Sequence, residues 1–422
     1  MTIPGGIHLF EETLPPKVAK FYTMPDVINI YRRRRDFDVV ITNHIFNEMA
    51  YPLAVGVPLI LVSVRGLDSR GSAMLGNIHH PAYVPNFFAD YPHPMSFFDR
   101  LRNLFYHIYF PCYWGLWGYM PKIQKEVSEH LPDIPPLLEI ERNASLVLVN
   151  YQSVTGYAIP VLPSEVDVGG IHCVPGKPLP QDLDSWVKGA GTSGVIYFSF
   201  GTVATGTKMP LKYRDLFVEA MARLAEYRFI WKFESTPVRV SNNVLVQKYF
   251  PQQDLLADPR VKLFISHGGR LSMQEAMYHA TPLLVIPIFA DQPRNARQIV
   301  KQGIGLSLHL DELTVDIIVK SIKEIINNPR YMSNVRKASA LMQDQPESPL
   351  ERAVFWTEYV IRHQGAPHLR SPAAQLSWVE FFMLDILASL FMAVLALYLV
   401  LQRILRTAYT VLKNTGRKTK KD

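Results

Sequence analysis

Tyr249-Phe250-Pro251-Gln252, then Phe264-Ile265-Ser266-His267-Gly268-Gly269 leading into Gln274-Glu275-Ala276, then Phe289-Ala290-Asp291-Gln292-Pro293: these three pieces decide the fold. Val261–Ser266 is a short apolar, β-rich run, and His267-Gly268-Gly269 supplies a turn where backbone can approach a bound group closely. A helix is predicted from about Leu271. Its unpaired N–H groups and positive dipole end favour an anion, and His267 can donate one more hydrogen bond to a phosphate oxygen. Glu275, on the same helix, can accept from two ribose hydroxyls. Asp291 and Gln292 follow a second apolar run, Pro282–Ile288, at the carboxyl end of a strand, where parallel α/β sheets place ligands.

Working outward, Val195–Ser199, Arg228–Phe233, Val244–Val246, Leu263–Ser266 and Leu283–Ile288 alternate with helical stretches such as Leu211–Glu226 and Gln292–Gln302. That alternation predicts a doubly wound parallel sheet. Helical runs over Val315–Asn328, Tyr331–Met342 and Leu350–His363 are expected to close it, the last packing back toward the first domain. Before it, Phe37–Thr42 and Val57–Ser63 flank a helical stretch at Phe46–Val55, one βαβ unit, and Leu146–Asn150 and Val166–Ile171 read as further strands. Residues 68–135 are rich in aromatics, among them Phe87, Phe88, Phe105, Trp114 and Trp117. They read as a helical insert that forms ordinary core, lines a lipophilic pocket or touches a membrane.

The motifs resemble the signature of the UDP-glycosyltransferases, membrane-bound enzymes that attach glucuronic acid or glucose to small lipophilic acceptors. The likeness continues through Asp344-Gln345-Pro346, Arg352–Trp356 and His363-Gln364-Gly365-Ala366. It implies an α/β fold of the GT-B kind: two Rossmann-like doubly wound domains, the first incomplete, plus a C-terminal transmembrane helix. The expected division is an acceptor domain over 1–174, a linker over 175–182, a UDP-sugar domain over 183–365, a juxtamembrane stretch over 366–377, a span over 378–401 and a basic cytosolic tail over 402–422.

The resemblance also assigns residues. Ser199, Gly201 and Thr202 match the family's phosphate loop, and a turn after a strand can aim amides and a hydroxyl at a phosphate. Tyr249 stands where the family usually has Trp, and its ring can stack on uracil while Gln252 bonds base or ribose. Leu271-Ser272 replaces the Asn-Gly of vertebrate glucuronosyl members, with Ser272 a substitute donor, which tilts the expected sugar toward glucose. With His267, Gly268, Gly269, Glu275, Asp291 and Gln292 these form the expected donor site.

The implied reaction is an inverting, metal-independent hexosyl transfer from UDP-glucose or UDP-glucuronate, a co-substrate rather than a cofactor. The family base is a His that would lie upstream of residue 1, and the Asp that orients it corresponds to Asn43. The amino terminus has neither a basic n-region nor an apolar h-region, so a missing beginning is expected. His44, beside Asn43, is the candidate to replace the family base, but like His79, His80 and His93 it reads first as structural; Asp36-Phe37-Asp38 and Asp182-Leu183-Asp184 read as caps rather than metal ligands. A second reading, of another class, is a catalytically impaired UDP-sugar-binding partner that forms mixed oligomers with complete relatives.

At 422 residues and net charge +7 the chain is long enough for two domains and an appendage. Lys and Arg crowd the residues after 402, where Asp422 is the lone acid, so the basicity describes a tail and not a nucleic-acid face. Trp378–Leu401 is almost continuously apolar, long enough to span a bilayer, and the basic flank marks the cytosolic side. The ending Lys418-Thr419-Lys420-Lys421-Asp422 resembles a dilysine retrieval signal, with a generic basic stop-transfer flank the alternative; the expected location is the endoplasmic reticulum membrane with a lumenal body. Asn143-Ala144-Ser145 is a glycosylation sequon. Cys112 and Cys173 are too few for a disulfide framework and read as unpaired thiols, with one bridge the alternative.

Overall fold

The computed structural model describes residues 7–86, 91–92, 94–151, 158–202, 209–234, 239–289 and 291–418; Phe87, Phe88, His93 and the end of the dilysine motif lie outside them. The chain forms two compact units, residues 1–370 and 371–422.

The first unit holds two sheets. In one, β1 (Val40–Asn43), β2 (Leu59–Ser63), β3 (Leu146–Val149) and β4 (Glu165–Asp167) lie in that order, all parallel. In the other, β5 (Val195–Ser199), β6 (Arg228–Lys232), β7 (Val244–Gln247), β8 (Val261–Ser266), β9 (Leu283–Val285) and β10 (Gly305–Ser307) are parallel in the order β10-β9-β8-β5-β6-β7. The chain grows outward from β5 through β6 and β7, then returns to the other side of β5 with β8. The carboxyl ends of β5 and β8 therefore diverge at a topological switch point, the place such sheets leave a crevice.

Strands buried on both faces explain their unbroken apolar runs. Along β5, Ile196 and Phe198 meet Phe217, Met221, Ile318 and Ile322 of helices Leu211–Arg223 and Val315–Asn327. The alternate residues, Val195 and Tyr197, meet Met273, Met277, Ile299 and Val335 on the opposite face. Each of these side chains is almost wholly buried, and each large one contributes about 1.5–3 kcal/mol.

In the first sheet, Leu59, Leu61, Val147 and Val149 pack on Trp114, Tyr119 and Ile123 of the aromatic segment. Their neighbours Ile60, Leu146 and Leu148 face Ala353 and Val360 of helix Pro349–Arg362, which arrives from beyond the second sheet. Ser348 and Glu351 form a capping box that starts this helix, Pro349 fills its first position, and Arg352 Nη1 donates to the Asp167 carbonyl at 3.0 Å. The expected packing back onto the first domain is what the structure shows.

Several expectations change. The stretch between β1 and β2 is a 3₁₀ helix, Glu48–Ala54, because Pro52 lacks the N–H that an α-helix needs. The aromatic segment divides its residues: Phe110, Tyr113 and Trp114 are core, while Phe98, Leu101, Phe105, Ile108 and Trp117 of helix Phe97–Cys112 and its π-helical extension are exposed. Neither acidic triplet caps. Asp36 ends a 3₁₀ turn and pairs with Arg33, and Asp184 lies in the first turn of helix Gln181–Lys188, bound to Arg260 and Lys188. Cys112 and Cys173 are both free and half-buried.

The second unit carries helix Leu384–Lys418, preceded by a short turn of helix, Trp378–Phe381, from which it is separated by Met383 in a left-handed conformation. Within its apolar part, Leu384–Val411, an 18-residue stretch has a mean hydropathy of 2.4 and no buried residue, so the helix is long and apolar enough to cross a membrane and fits a membrane anchor.

Candidate functional site

Ser199 and Ser266 are register partners at the ends of β5 and β8, so the two following loops start side by side. In the first, Ser199 Oγ accepts from Gly201 N at 3.2 Å, which curls the loop over the strand end, and Thr202 is exposed beyond it. In the second, Ser266 Oγ accepts from Gly268 N at 3.2 Å in the same way. Gly201 and Gly268 have φ of 78° and 83°, a region that side chains with a Cβ rarely enter. A Cβ on Gly268 would also meet Val285 Cγ1 at 2.7 Å.

His267 sits between the loops. A Cβ on Gly201 would lie 2.8 Å from its Cε1, and one on Gly269 2.5 Å from its Nε2, so both glycines are small because the ring occupies that space. Burial pushes the imidazole down to about 4, with Lys232 adding to the fall and Asp291 opposing it, so the ring is neutral at pH 7. Its Nδ1 is buried with no hydrogen-bond partner among the described residues. Helix Arg270–Tyr278 starts one residue beyond Gly269 and points its free N–H groups at the same space.

A second knot lies on that helix. Gln252 Oε1 accepts from the Tyr197 hydroxyl at 3.2 Å, and its Nε2 donates to Ser272 Oγ at 3.1 Å and to Glu275. Burial pushes the Glu275 carboxyl up, opposed by the Gln252 hydrogen bond and by His172, whose Nε2 stands 3.9 Å from Oε1. Tyr249, by contrast, is 75% exposed, so it is not a core residue and its ring is open for stacking.

Asp291 and Gln292 divide their work. Gln292 is buried, and its Oε1 accepts from Ile288 N and Phe289 N at 2.8 and 3.0 Å, which shapes the loop and takes its carbonyl out of ligand binding. Asp291 Oδ2 accepts from Asn295 Nδ2 at 2.9 Å, and the same amide donates to the Gly268 carbonyl. Its Oδ1 lies 3.6 Å from Arg65 Nη1, on the turn after β2. Arg65 and Asp291 thus form an ion pair on the wall of a cleft lined by residues from the ends of both sheets.

Sequence reasoning missed Lys232, Asn295 and His172. Lys232 Nζ donates to the Gly201 carbonyl at 2.7 Å and pairs with Glu234, so it pins the first loop. Its position as the last residue of β6, beside β5, was the available signal. At the end of β1, Asn43 Nδ2 donates to the Ile45 carbonyl at 3.1 Å. His44 is buried beside Arg70 and Glu141, and burial, with Arg70 second, pushes it below its ordinary value.

The family model for "UDP-glucoronosyl and UDP-glucosyl transferase" matches residues 30–419. UDP-glycosyltransferase UGT5 of Dactylopius coccus is 36% identical over 78% of this chain and 62% of its own length. UDP-glucosyltransferase 2 of the same insect is 34% identical over 87% of this chain and 72% of its own, and human UDP-glucuronosyltransferase 2B17 is 33% identical over 82% and 65%. The chain therefore spans about two thirds of these relatives. Among solved structures, Os79 from O. sativa in complex with U2F and trichothecene aligns with a TM-score of 0.53 at 18% identity, covering 83% of this chain and 82% of that one. Spinosyn forosaminyltransferase SpnP aligns with a TM-score of 0.53 at 17% identity, over 77% and 76%. Both are GT-B glycosyltransferases, which fixes the fold as the α/β, GT-B type expected. On the match across residues 30–419 and the sequence identities, this chain belongs to the UDP-glucuronosyl and UDP-glucosyl transferase family.

Proposed function

We propose that the protein transfers a hexosyl group from a UDP-sugar to a small lipophilic acceptor, from a body anchored to a membrane by its C-terminal helix. The observation that carries this reading is His267, held between Gly201 and Gly269 at the switch point where two strand ends and a helix N-terminus converge. A pyrophosphate seated there would take hydrogen bonds from the loop amides and from the imidazole. Glu275 would accept from the ribose hydroxyls, with Gln252 and Ser272 holding it, and Tyr249 would stack on uracil. Asp291 would accept from a sugar hydroxyl.

In the inverting displacement, the acceptor oxygen bonds to the anomeric carbon as that carbon's bond to the β-phosphate oxygen breaks; the acceptor proton passes to a base and UDP carries the electron pair away. No metal is required, because the amides, His267 and the helix dipole balance the leaving charge. The lipophilic acceptor enters from the first sheet's side of the cleft. The basic flank after residue 402 supports a lumenal body and the dilysine-like ending supports the endoplasmic reticulum, and there Asn143, which is exposed, would be open to glycosylation.

Asn43 favours a second reading. An amide stands where the resemblance expects a carboxylate, and it could orient an imidazole without stabilising its positive charge. The chain would then bind UDP-sugars and act through mixed oligomers with active relatives.

Titration calorimetry with UDP tests the donor site, and UDP release in the presence of UDP-sugar and 1-naphthol tests transfer. We expect UDP to bind, and His267→Ala to weaken it at least tenfold. Binding without turnover selects the second reading; no binding removes both.

A further inference from the structure

Two side chains on the first-sheet wall of the cleft, Asp68 and His79, are buried with a polar atom left over. Asp68 follows β2 and caps helix Ser69–Met74, its Oδ1 accepting from Gly71 N at 2.6 Å. Its Oδ2 has no hydrogen-bond partner among the described residues, and neither has His79 Nε2. The two residues are 6% and 2% exposed. Burial pushes the His79 imidazole down to about 4, with His107 adding to the fall and Asp68 opposing it, so the ring is neutral at pH 7. A buried polar atom without a partner is costly and uncommon. A carboxylate oxygen that only accepts, beside a neutral imidazole nitrogen that can donate, matches a hydroxyl, which does both.

The wall around them is built to hold its shape. The stretch between His79 and Asn86 is stapled to helix Phe97–Cys112 by Asn103, which is fully buried. Asn103 Nδ2 donates to the Pro81 and Val84 carbonyls at 2.6 and 2.8 Å, and its Oδ1 accepts from Asn86 N at 2.8 Å. His107 Nε2 donates to the Val84 carbonyl at 3.1 Å. Val84, Pro85 and Tyr151 give the same cleft an apolar lining beside the two polar atoms. Apolar surface with a few fixed polar groups is what orients a small lipophilic ligand.

We propose that Asp68 and His79 form the hydroxyl subsite of the acceptor: the acceptor O–H donates to Asp68 Oδ2, and its oxygen accepts from His79 Nε2–H. The pair selects alcohols and phenols over carboxylic acids, whose charge would face the Asp68 carboxylate, and over molecules of like shape that cannot donate. This deepens the transferase reading above and rests on it.

The test is titration calorimetry of the full chain with UDP, and then of the UDP-saturated protein with 1-naphthol, naphthalene, 1-methoxynaphthalene and 1-naphthoic acid. It is run on the wild type, Asp68→Asn and His79→Phe. Asp68→Asn keeps an oxygen for the helix cap and puts a donor where Oδ2 stood; His79→Phe keeps a ring and removes the nitrogen. Melting temperatures check each fold, and if one variant does not fold the other carries the comparison. The wild type is expected to bind 1-naphthol at least tenfold more tightly than each of the other three, and each variant to cut that preference to threefold or less with UDP affinity unchanged. A wild type that binds UDP but takes naphthalene or 1-naphthoic acid as readily as 1-naphthol, or takes none of the four, overturns the proposal. So does a preference that persists in the folded variants. A UDP affinity that falls as far as that for 1-naphthol gives the pair to the donor and overturns it too. Wild-type protein that binds no UDP instead refutes the donor site itself.

Discussion

Gly201 and His267 are in contact across two strand ends, and the glycine is small because the imidazole fills the place of its missing Cβ. Gly201→Ala therefore meets both a clash at 2.8 Å and a φ of 78°. We expect it to lower stability by about 1–2 kcal/mol and UDP affinity at least tenfold. Chemical denaturation and calorimetry check the two effects. A variant that binds UDP normally would dissociate the ring position from the donor site.

Lys232 reaches the same loop from β6. Lys232→Met keeps the stem and removes the hydrogen bond to the Gly201 carbonyl, so UDP affinity is expected to fall by roughly 1–2 kcal/mol, while the fold stays intact. An unchanged dissociation constant would show that the loop holds its shape unaided.

Glu275→Gln swaps an acceptor-only group for one that is half donor, beside Gln252 and Ser272. We expect about tenfold weaker UDP binding, and a smaller loss for a 2′-deoxyribose analogue. Equal losses for both ligands would move the ribose elsewhere.

The pH dependence has a defined sign. His267 and His79 are both pushed from 6.5 down to about 4 by burial, so the unfolded chain binds protons that the folded chain does not. Their contribution is whole above pH 6.5 and is lost as pH falls toward 4, each at up to about 1.4 kcal/mol per pH unit. His267→Gln should flatten the fall in unfolding free energy between pH 6.5 and 4 by close to one histidine's share. An identical slope in the variant would mean that this ring is not desolvated.

Much of this was legible in advance. Five of the six strands of the second sheet announce themselves as apolar runs closed by Gly, Pro or polar residues, while the three-residue β10 was missed, and helix Gln292–Gln302 has the bounds its sequence implies. The turns at Gly201 and at His267-Gly268-Gly269 were legible because glycine next to a strand end permits the left-handed backbone that such turns need. Lys232 on Gly201 and His172 on Glu275 were not, since such contacts join residues remote in sequence and carry no local period. Pro52 shows the reverse case: a local signal, read as part of a longer helix, that in fact sets a 3₁₀ turn.

Glu141 offers a control remote from the donor loops. Its two oxygens each accept from Arg70 at 3.0 Å, and both partners are buried. Glu141→Gln should destabilise by about 3–5 kcal/mol, because it leaves the guanidinium buried without its counter-charge. His44→Gln, in the same cluster, is expected to lower the melting temperature and leave UDP affinity alone.

The helix Pro349–Arg362 also limits where the molecule can be cut. Ile60, Leu146 and Leu148 belong to the first sheet by hydrogen bonding, but their greasy cover is delivered by the far end of the body. A protease nick between the two sheets would leave the halves clasped, whereas an expressed piece that stops before Ser348 would bare that stripe to solvent and clump, even with every strand present.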